Sequence, residues 1–428
     1  MSRRILLLAT VLYCLLLAGF IALNTNLFVL AFPLAIYLMA ALYFGPENVQ
    51  LSINRSLSTD YISPGKPVIV TLRITNNGSA IDELFIEDEI PARLIIIERE
   101  SKVLISLRPG ETHEFSYILT GERGNFIFDQ VQVTSNEALG LFRNEAILSA
   151  KGRLIVIPEL RQLRRVMIRP RRTHDYVGPI PARQGGSGID FFGVREYQPG
   201  DPQRWINWRV SARFEQTLFT NEFEQERIAD VGLVLDARSQ RDILAPGGSL
   251  FEYSIKVMAS LADAFIRNGN RVGLLIYGRV QEKTFPGYGK VQRERILRAL
   301  ANAKTSNNLA LQSLNYLSTR FFPAHSQIVL ISPLSDPDLP VLFQLRALGY
   351  SLLVVSPDPV SFEARLYQKD EVVDLARRTA FLERVLLLHK LQRAGIQTID
   401  WDVSKPFDQI AHAFLGHLPR ENHAIGLI

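Results

Sequence analysis

Val231-Gly232-Leu233-Val234-Leu235-Asp236 is a short apolar run that stops on an acid. Strand side chains alternate between two faces, so a run with no polar position has no face to give to water. It is predicted to be a strand buried on both sides, as in parallel sheets. Toward the C-terminus similar runs return at Arg271 to Tyr277, Gln327 to Ser332, Ser351 to Ser356 and Thr398 to Val403. Between them lie helical stripes: Leu250 to Arg267, Val291 to Ala303, Asn315 to Phe322, Leu339 to Leu348, Val372 to Ala394 and Pro406 to Gly416. Strands alternating with helices imply a doubly wound α/β domain over 229–428, with a mainly parallel sheet covered on both faces. Ligands of such sheets bind outside the carboxyl ends of the strands, which Asp236, Ser332 and Ser356 mark here.

Upstream the rhythm is different. From Val49 to about Pro158 the chain reads as short strands between turn signals such as Asn76-Asn77-Gly78, Pro64-Gly65 and Pro109-Gly110. Strand candidates are Val68 to Thr75, Asp82 to Asp88, Leu94 to Glu98, Val103 to Leu107, Thr112 to Thr120, Phe126 to Thr134 and Leu154 to Ile157. This pattern predicts an all-β, immunoglobulin-like sandwich over 48–160. Residues 161–228 connect the two regions. They open on Arg161 to Arg172, with six arginines in twelve residues, which reads as a solvated linker or a lipid headgroup contact. Thr173 to Gly188, rich in Gly, Pro and polar residues, reads as an exposed loop.

Residues 1–47 carry two uncharged apolar runs, Ile5 to Leu23 and Leu27 to Phe44, joined by Asn24-Thr25-Asn26. Each is close to the ~20 residues an α-helix needs to cross a bilayer. They predict a transmembrane hairpin rather than a cleaved signal peptide, which has a shorter apolar core and a small-residue cleavage site. A lipoprotein anchor is disfavoured because Tyr13 precedes Cys14. A hairpin buried in a soluble core remains the alternative. Arg3 and Arg4 place the N-terminus, and with it the body, on the cytoplasmic side of the inner membrane.

The chain has 428 residues, one Cys, a net charge of +5 and a pI of about 9.2. That length allows two or three domains. A single Cys excludes disulfide frameworks and cysteine zinc sites. The mild positive charge lacks the dense basic signature of a nucleic-acid binder. It suits a body beside an anionic bilayer.

The densest stretch is Gly188 to Arg213, GIDFFGVREYQPGDPQRWINWRVSAR. It gathers Asp190, Arg195, Tyr197, Gly200, Asp201, Arg204, Trp208 and Arg213, with Pro199-Gly200-Asp201 as a turn. Arginine beside tryptophan allows stacking, and interleaved acids allow bidentate pairs. The cluster is either a structural brace between domains, the favoured reading, or a docking surface.

This stretch resembles the signature of domain-of-unknown-function family 58, G-x-D/E-F-x-x-x-R-x-Y-x-x-G-D-D-x-R-x-I-D-W-x-x-x-A-R. Gly188, Asp190, Phe191, Arg195, Tyr197, Gly200, Asp201, Arg204, Ile206, Trp208, Ala212 and Arg213 match it, whereas Pro202 and Asn207 stand where the family has Asp. Arg123-Gly124 and Leu139-Gly140-Leu141-Phe142 resemble other parts of longer members. The resemblance implies that a von Willebrand factor A-like domain follows, and that a MoxR-type AAA+ ATPase is the partner. Von Willebrand A domains often hold Mg²⁺ through D-x-S-x-S after the first strand. Here those positions read Asp236-Ala237-Arg238-Ser239-Gln240, with Arg238 and Gln240 in place of the serines. After the third strand stands Ser332-Pro333, with Asp336 a little beyond. An arginine puts positive charge where a cation would sit, so Mg²⁺ binding is not expected, and Asp236 is expected to pair with Arg238 or a nearby arginine.

Signals of catalysis are missing. Gly287-Tyr288-Gly289-Lys290 is too short for a phosphate-binding loop, and no H-E-x-x-H occurs. His412 and His417 stand about 140° apart on a helix, and Gly186-Ser187-Gly188 lacks the G-x-S-x-G frame. The expectation is a non-enzymatic, membrane-anchored interaction protein with no cofactor. A metal-dependent adhesion module is the alternative. A hydrolase using Asp236, Asp201 or Ser239 ranks third.

Overall fold

The structure is a computed structural model that describes residues 3–23, 25–43, 50–136, 143–163, 166, 180–214, 216–227, 229–246, 248–278, 282–307, 321–368 and 370–415. The chain divides into two compact units, Met1–Ile157 and Pro158–Ile428.

The first unit begins with two helices, Arg3–Ala22 and Thr25–Tyr43. A Cβ on Gly19 would lie 3.2 Å from the Phe28 ring, so a small residue is what lets the pair close. Among the described residues no helix is long and apolar enough to cross a membrane. This overturns the expected transmembrane hairpin, and with it the two-pass inner-membrane placement. The reason is length. The first helix has 20 residues, of which Arg3 and Arg4 form the start. The uncharged remainder spans about 27 Å at 1.5 Å per residue, short of a ~30 Å hydrocarbon core. The second has 19 residues, opens on Thr25 and Asn26, and contains Pro33.

Two sheets follow. Leu51–Leu57, Val68–Asn76, Thr112–Gly121 and Leu94–Glu98 form one, in that order. Tyr61–Ile62, Arg143–Val156, Gly124–Asn136, Ile81–Asp88 and Lys102–Leu107 form the other. Val68, Val70, Leu72 and Ile74 alternate inward from the first sheet and meet Leu84, Ile86, Val131, Val133 and Leu154 of the second in one core. That period of two is why one face is buried. A charged cluster crosses the core. Arg55 Nε lies 3.2 Å from Asp88 Oδ2, a second guanidinium nitrogen binds Asp88 Oδ1, and Tyr117 OH donates to Oδ2 at 2.6 Å. Both side chains of the ion pair are fully buried, and the guanidinium carbon stands 4.9 Å from the Phe128 ring centroid. Leu94–Glu98 is an edge strand with exposed Ile95 and Ile97, flanked by Arg93 (φ 77°) and Arg99 (φ 63°) in the left-handed region.

In the second unit six strands form one sheet: β1 Asp230–Asp236, β2 Arg271–Tyr277, β3 Glu282–Gly287, β4 Gln327–Ile331, β5 Ser351–Pro357 and β6 Gln397–Trp401. The order is β3-β2-β1-β4-β5-β6, parallel except for β3. Every residue of β1 is buried. Gly232 is required there, because a Cβ would come within 2.7 Å of the Phe322 ring. One face of the sheet packs against helices Leu339–Ala347 and Glu371–Arg393, through Val234, Leu330 and Val354 meeting Leu342, Leu345, Leu387 and Leu391. Helix Leu250–Arg267, capped by Ser249, which accepts from Glu252 N at 3.2 Å, packs on β1 and β2.

Ahead of the sheet, Ile180–Glu196 pairs antiparallel with Phe219–Arg227. Ile180 to Gly188, expected in a loop, is therefore strand. Three register shifts, between Ala182 and Gly185, between Gly186 and Phe191 and between Phe191 and Gly193, absorb the glycines of the strand. Most of the arginine run, Leu139 to Phe142, the expected helix as far as residue 320, and His417 lie outside the described residues.

Candidate functional site

The order of the strands sets the first location. From β1 the chain steps outward to β2 and β3, then returns to the other side of β1 for β4. The carboxyl ends of β1 and β4 thus flank the crevice where the winding reverses, the usual ligand position in open α/β sheets. Asp236 ends β1 there, and a 3₁₀ turn, Ser239–Arg241, carries the chain away. After β4, Leu334 adopts φ 58°, and its N–H donates to Ser332 Oγ at 3.1 Å. The next turn is closed by a capping box, in which the Ser335 N–H donates to Asp338 Oδ2 at 3.0 Å.

These turns bring one guanidinium between two carboxylates. Arg238 Nε and Nη2 donate to Asp236 Oδ1 and Oδ2 at 2.9 and 2.7 Å. Nη1 and Nη2 donate to Asp338 Oδ1 and Oδ2 at 2.9 and 3.1 Å. Ser332 Oγ donates to Asp236 Oδ2 at 2.7 Å, and Arg241 donates to Ser335 Oγ at 2.5 Å. The side chains of Arg238, Asp236 and Asp338 are 5%, 0% and 2% exposed. Burial alone would lower the Arg238 guanidinium's pKa, but its bonds to Asp236 and Asp338 outweigh that and raise it.

The residues therefore do not fit Mg²⁺ in the manner the family resemblance implies. Both Asp236 oxygens are taken by a cation of the chain itself, and Gln240 is exposed. The partner acid is Asp338. Asp336, the nearer acid in sequence, is 67% exposed and pairs with Lys390 at 3.1 Å.

A second buried arginine serves the far half of the same edge. Arg384 reaches Asp358 at 3.3 Å, Asp400 at 2.6 Å, the Ser356 hydroxyl and carbonyl at 3.1 Å each, and the Pro333 carbonyl at 3.2 Å. Nothing in its neighbourhood, Thr379-Ala380-Phe381-Leu382-Glu383-Arg384-Val385, distinguishes it in sequence from an exposed helical arginine.

The signature stretch forms the second location. Arg195 and Asp201 make a bidentate pair, 2.8 Å on each arm, and Gln198 N donates to Asp201 Oδ2 at 2.9 Å. Tyr197 OH donates to the Asp201 carbonyl at 3.4 Å, and Gly200 turns the chain at φ 111°. Asn207 caps the helix Trp208–Ser211 by accepting from Val210 N at 3.1 Å, a role that either Asn or Asp can fill. The Arg195 side chain of the bidentate pair is 37% exposed and that of Asp201 15%, and three large apolar side chains of the stretch are exposed as well. Phe191, Trp208 and Phe214 are 62%, 67% and 53% exposed. Arg204, Arg209 and Arg213 of the same stretch are exposed too, with Arg204 5.8 Å from the Trp205 ring. The side chain of Asp190 lies outside the described residues.

The Arg195 bonds and the Gln198 N–H hold the Asp201 carboxyl below the usual carboxylate range. A depressed carboxyl contributes stability above its unfolded value and loses it as pH falls through the folded value. Protection of the Gln198 amide from hydrogen exchange is expected to stay flat from neutrality down to about pH 4 and to drop below that. Arg195→Gln is expected to move the drop upward. Loss of protection already near neutrality would contradict this.

Asp236 and Asp201 are held by arginines, and Ser239 Oγ bonds the Asn307 side chain.

Residues 193–356 match the family described as "Protein of unknown function DUF58". Over 183 residues the chain is 32% identical to "Uncharacterized protein YeaD" of Bacillus subtilis (strain 168), covering 42% of this chain and 43% of that protein. The chain thus spans less than half the length of this relative. The Arg195–Asp201 staple and the Arg238 cluster fall inside the family match, whereas Arg384 falls outside it. Among solved structures, a FixG-related protein from Vibrio parahaemolyticus gives a TM-score of 0.17 at 13% identity, over 26% of this chain and 98% of that one. The CARDB domain of the PF1109 protein from Pyrococcus furiosus gives 0.18 at 17% identity, over 25% and 93%. Scores this low carry no argument.

Proposed function

We propose that the α/β unit is a non-enzymatic protein-interaction module of the von Willebrand factor A-like kind, and that its docking surface is the exposed part of the signature stretch. The observation that carries the reading is the exposure of Trp208, together with that of Phe191, Phe214 and three arginines of the same stretch. Tryptophan and arginine are enriched at the energetic centres of interfaces. The buried Arg238 and Arg384 clusters support the non-catalytic part of the reading, since their acids are neutralised within the chain. The family resemblance supports a MoxR-type AAA+ ATPase as the partner.

The test is titration of a purified MoxR-type ATPase from the same cell against the full chain. Trp208→Ala is expected to weaken binding about 30-fold, from a loss of about 2 kcal/mol, while the melting temperature stays within a degree or two. Undiminished binding by Trp208→Ala would sink the surface. Absence of binding by the unaltered chain would sink the partner.

A further inference from the structure

We propose that helix Glu371–Arg393 pairs side by side, antiparallel, with the same helix of a second copy of this chain. Val372, Leu375, Thr379, Leu382 and Leu386 stand at alternating spacings of three and four along it. At about 100° per residue they fall within about 80° of its circumference. Leu387, Leu388 and Leu391 bury the helix against its own sheet, and their side lies about 150° away. The stripe is therefore left over by the fold. Val372, Leu375, Leu382 and Leu386 are 72%, 66%, 62% and 62% exposed. Thr379 is exposed between them, and its hydroxyl donates to the Leu375 carbonyl at 3.1 Å, so it brings no unmet donor to the face. Two positions in every seven make the seam of a coiled coil, narrower than the face of a helix that packs on a sheet.

The charges of the helix select the partner and its direction. Glu371 and Asp374 lie in the first turn, Lys390 and Arg393 in the last. A second copy laid antiparallel sets acidic end against basic end and opposes the two helix dipoles. A parallel copy stacks like on like. The antiparallel layers also match themselves, as a two-fold interface requires. Val372 faces His389, Leu375 faces Leu386 and Thr379 faces Leu382, each pair occurring twice. None of these residues belongs to the signature stretch, so substitutions here leave that surface unaltered.

The test uses the full chain in mild detergent, with Cys14→Ser removing its single thiol. On mild oxidation Val372→Cys/His389→Cys is expected to give a disulfide-linked dimer. Within one helix the two positions stand about 25 Å apart, beyond the reach of a disulfide, so they meet only across the pair. Val372→Cys alone and His389→Cys alone are each expected to stay unlinked. Adding Leu382→Glu/Leu386→Glu is expected to abolish the link. In the Cys14→Ser chain the same two changes are expected to bring the sedimenting protein mass from twice 48.3 kDa down to 48.3 kDa, with an unchanged far-ultraviolet spectrum. Cross-linking by Val372→Cys alone would mean a parallel pair, and a Cys14→Ser chain that already sediments as a monomer would mean no pair. Either overturns the inference, as does a link that survives Leu382→Glu/Leu386→Glu.

Discussion

Arg384→Ala is expected to destabilise the α/β unit by about 3–4 kcal/mol, near the range for breaking a buried ion pair. The arginine side chain is 6% exposed and Asp358 is 7% exposed, so the carboxylate left behind has little water to turn to. Asp400 is 42% exposed and recovers much of its loss from solvent, which keeps the figure below the top of the range. The carbonyls of Ser356 and Pro333 each lose a charged donor. Total stabilities are about 5–15 kcal/mol, so the variant loses a large share. Its melting temperature is expected to fall by about 6–15 °C for a unit of this size. Arg384→Lys is expected to fall between, because one ammonium cannot reach partners on three segments as a planar fork does. A change in Arg384→Ala within one degree would show that the cluster is not stabilising.

Asp88→Ala is the second large effect, expected to cost the β unit about 3–5 kcal/mol. It strands the fully buried Arg55 guanidinium and the Tyr117 hydroxyl together. The Phe128 ring and the Ala150 and Gln130 carbonyls still face Arg55, so the charge stays partly satisfied. The decisive comparison is Arg55→Met/Asp88→Leu/Tyr117→Phe. Replacing a whole buried charged cluster by apolar side chains of similar size is often neutral or stabilising. The triple variant is therefore expected to unfold at higher denaturant than Asp88→Ala. The reverse order in a urea titration would mean that the cluster contributes more than its burial costs.

Strands whose apolar character is local were legible in the sequence. Val231 to Asp236 reads as a doubly buried strand because it is apolar up to its final acid, and Val68 to Thr75 reads as a strand because it is a β-branched run ending at Asn76-Asn77-Gly78. Arg143–Val156 escaped beyond its last residues, because Lys151-Gly152-Arg153 breaks the β-branched run. The ribbon from Ile180 escaped because its glycines signal a turn, while bulged pairing tolerates them. The N-terminal helices sit close to the length that separates a span from a shorter apolar helix, so hydropathy alone misjudged them. At the carboxyl edge the Arg238–Asp236 pair was foreseeable, since the two stand two residues apart at the end of one strand. Asp338 and Arg384 were not. They reach the edge from 100 and 51 residues away from Arg238 and Pro333, and only the assembled sheet brings them there.

The edge strand Leu94–Glu98 carries a consequence for storage and expression. Three consecutive isoleucines on an unpaired edge are the composition from which fibrils grow. The two left-handed arginines bend the backbone away at both ends and confine the bare edge to five residues. Their charges also repel a second copy stacked in register. Exchanging either for an apolar residue is the change that would let this strand recruit its neighbours.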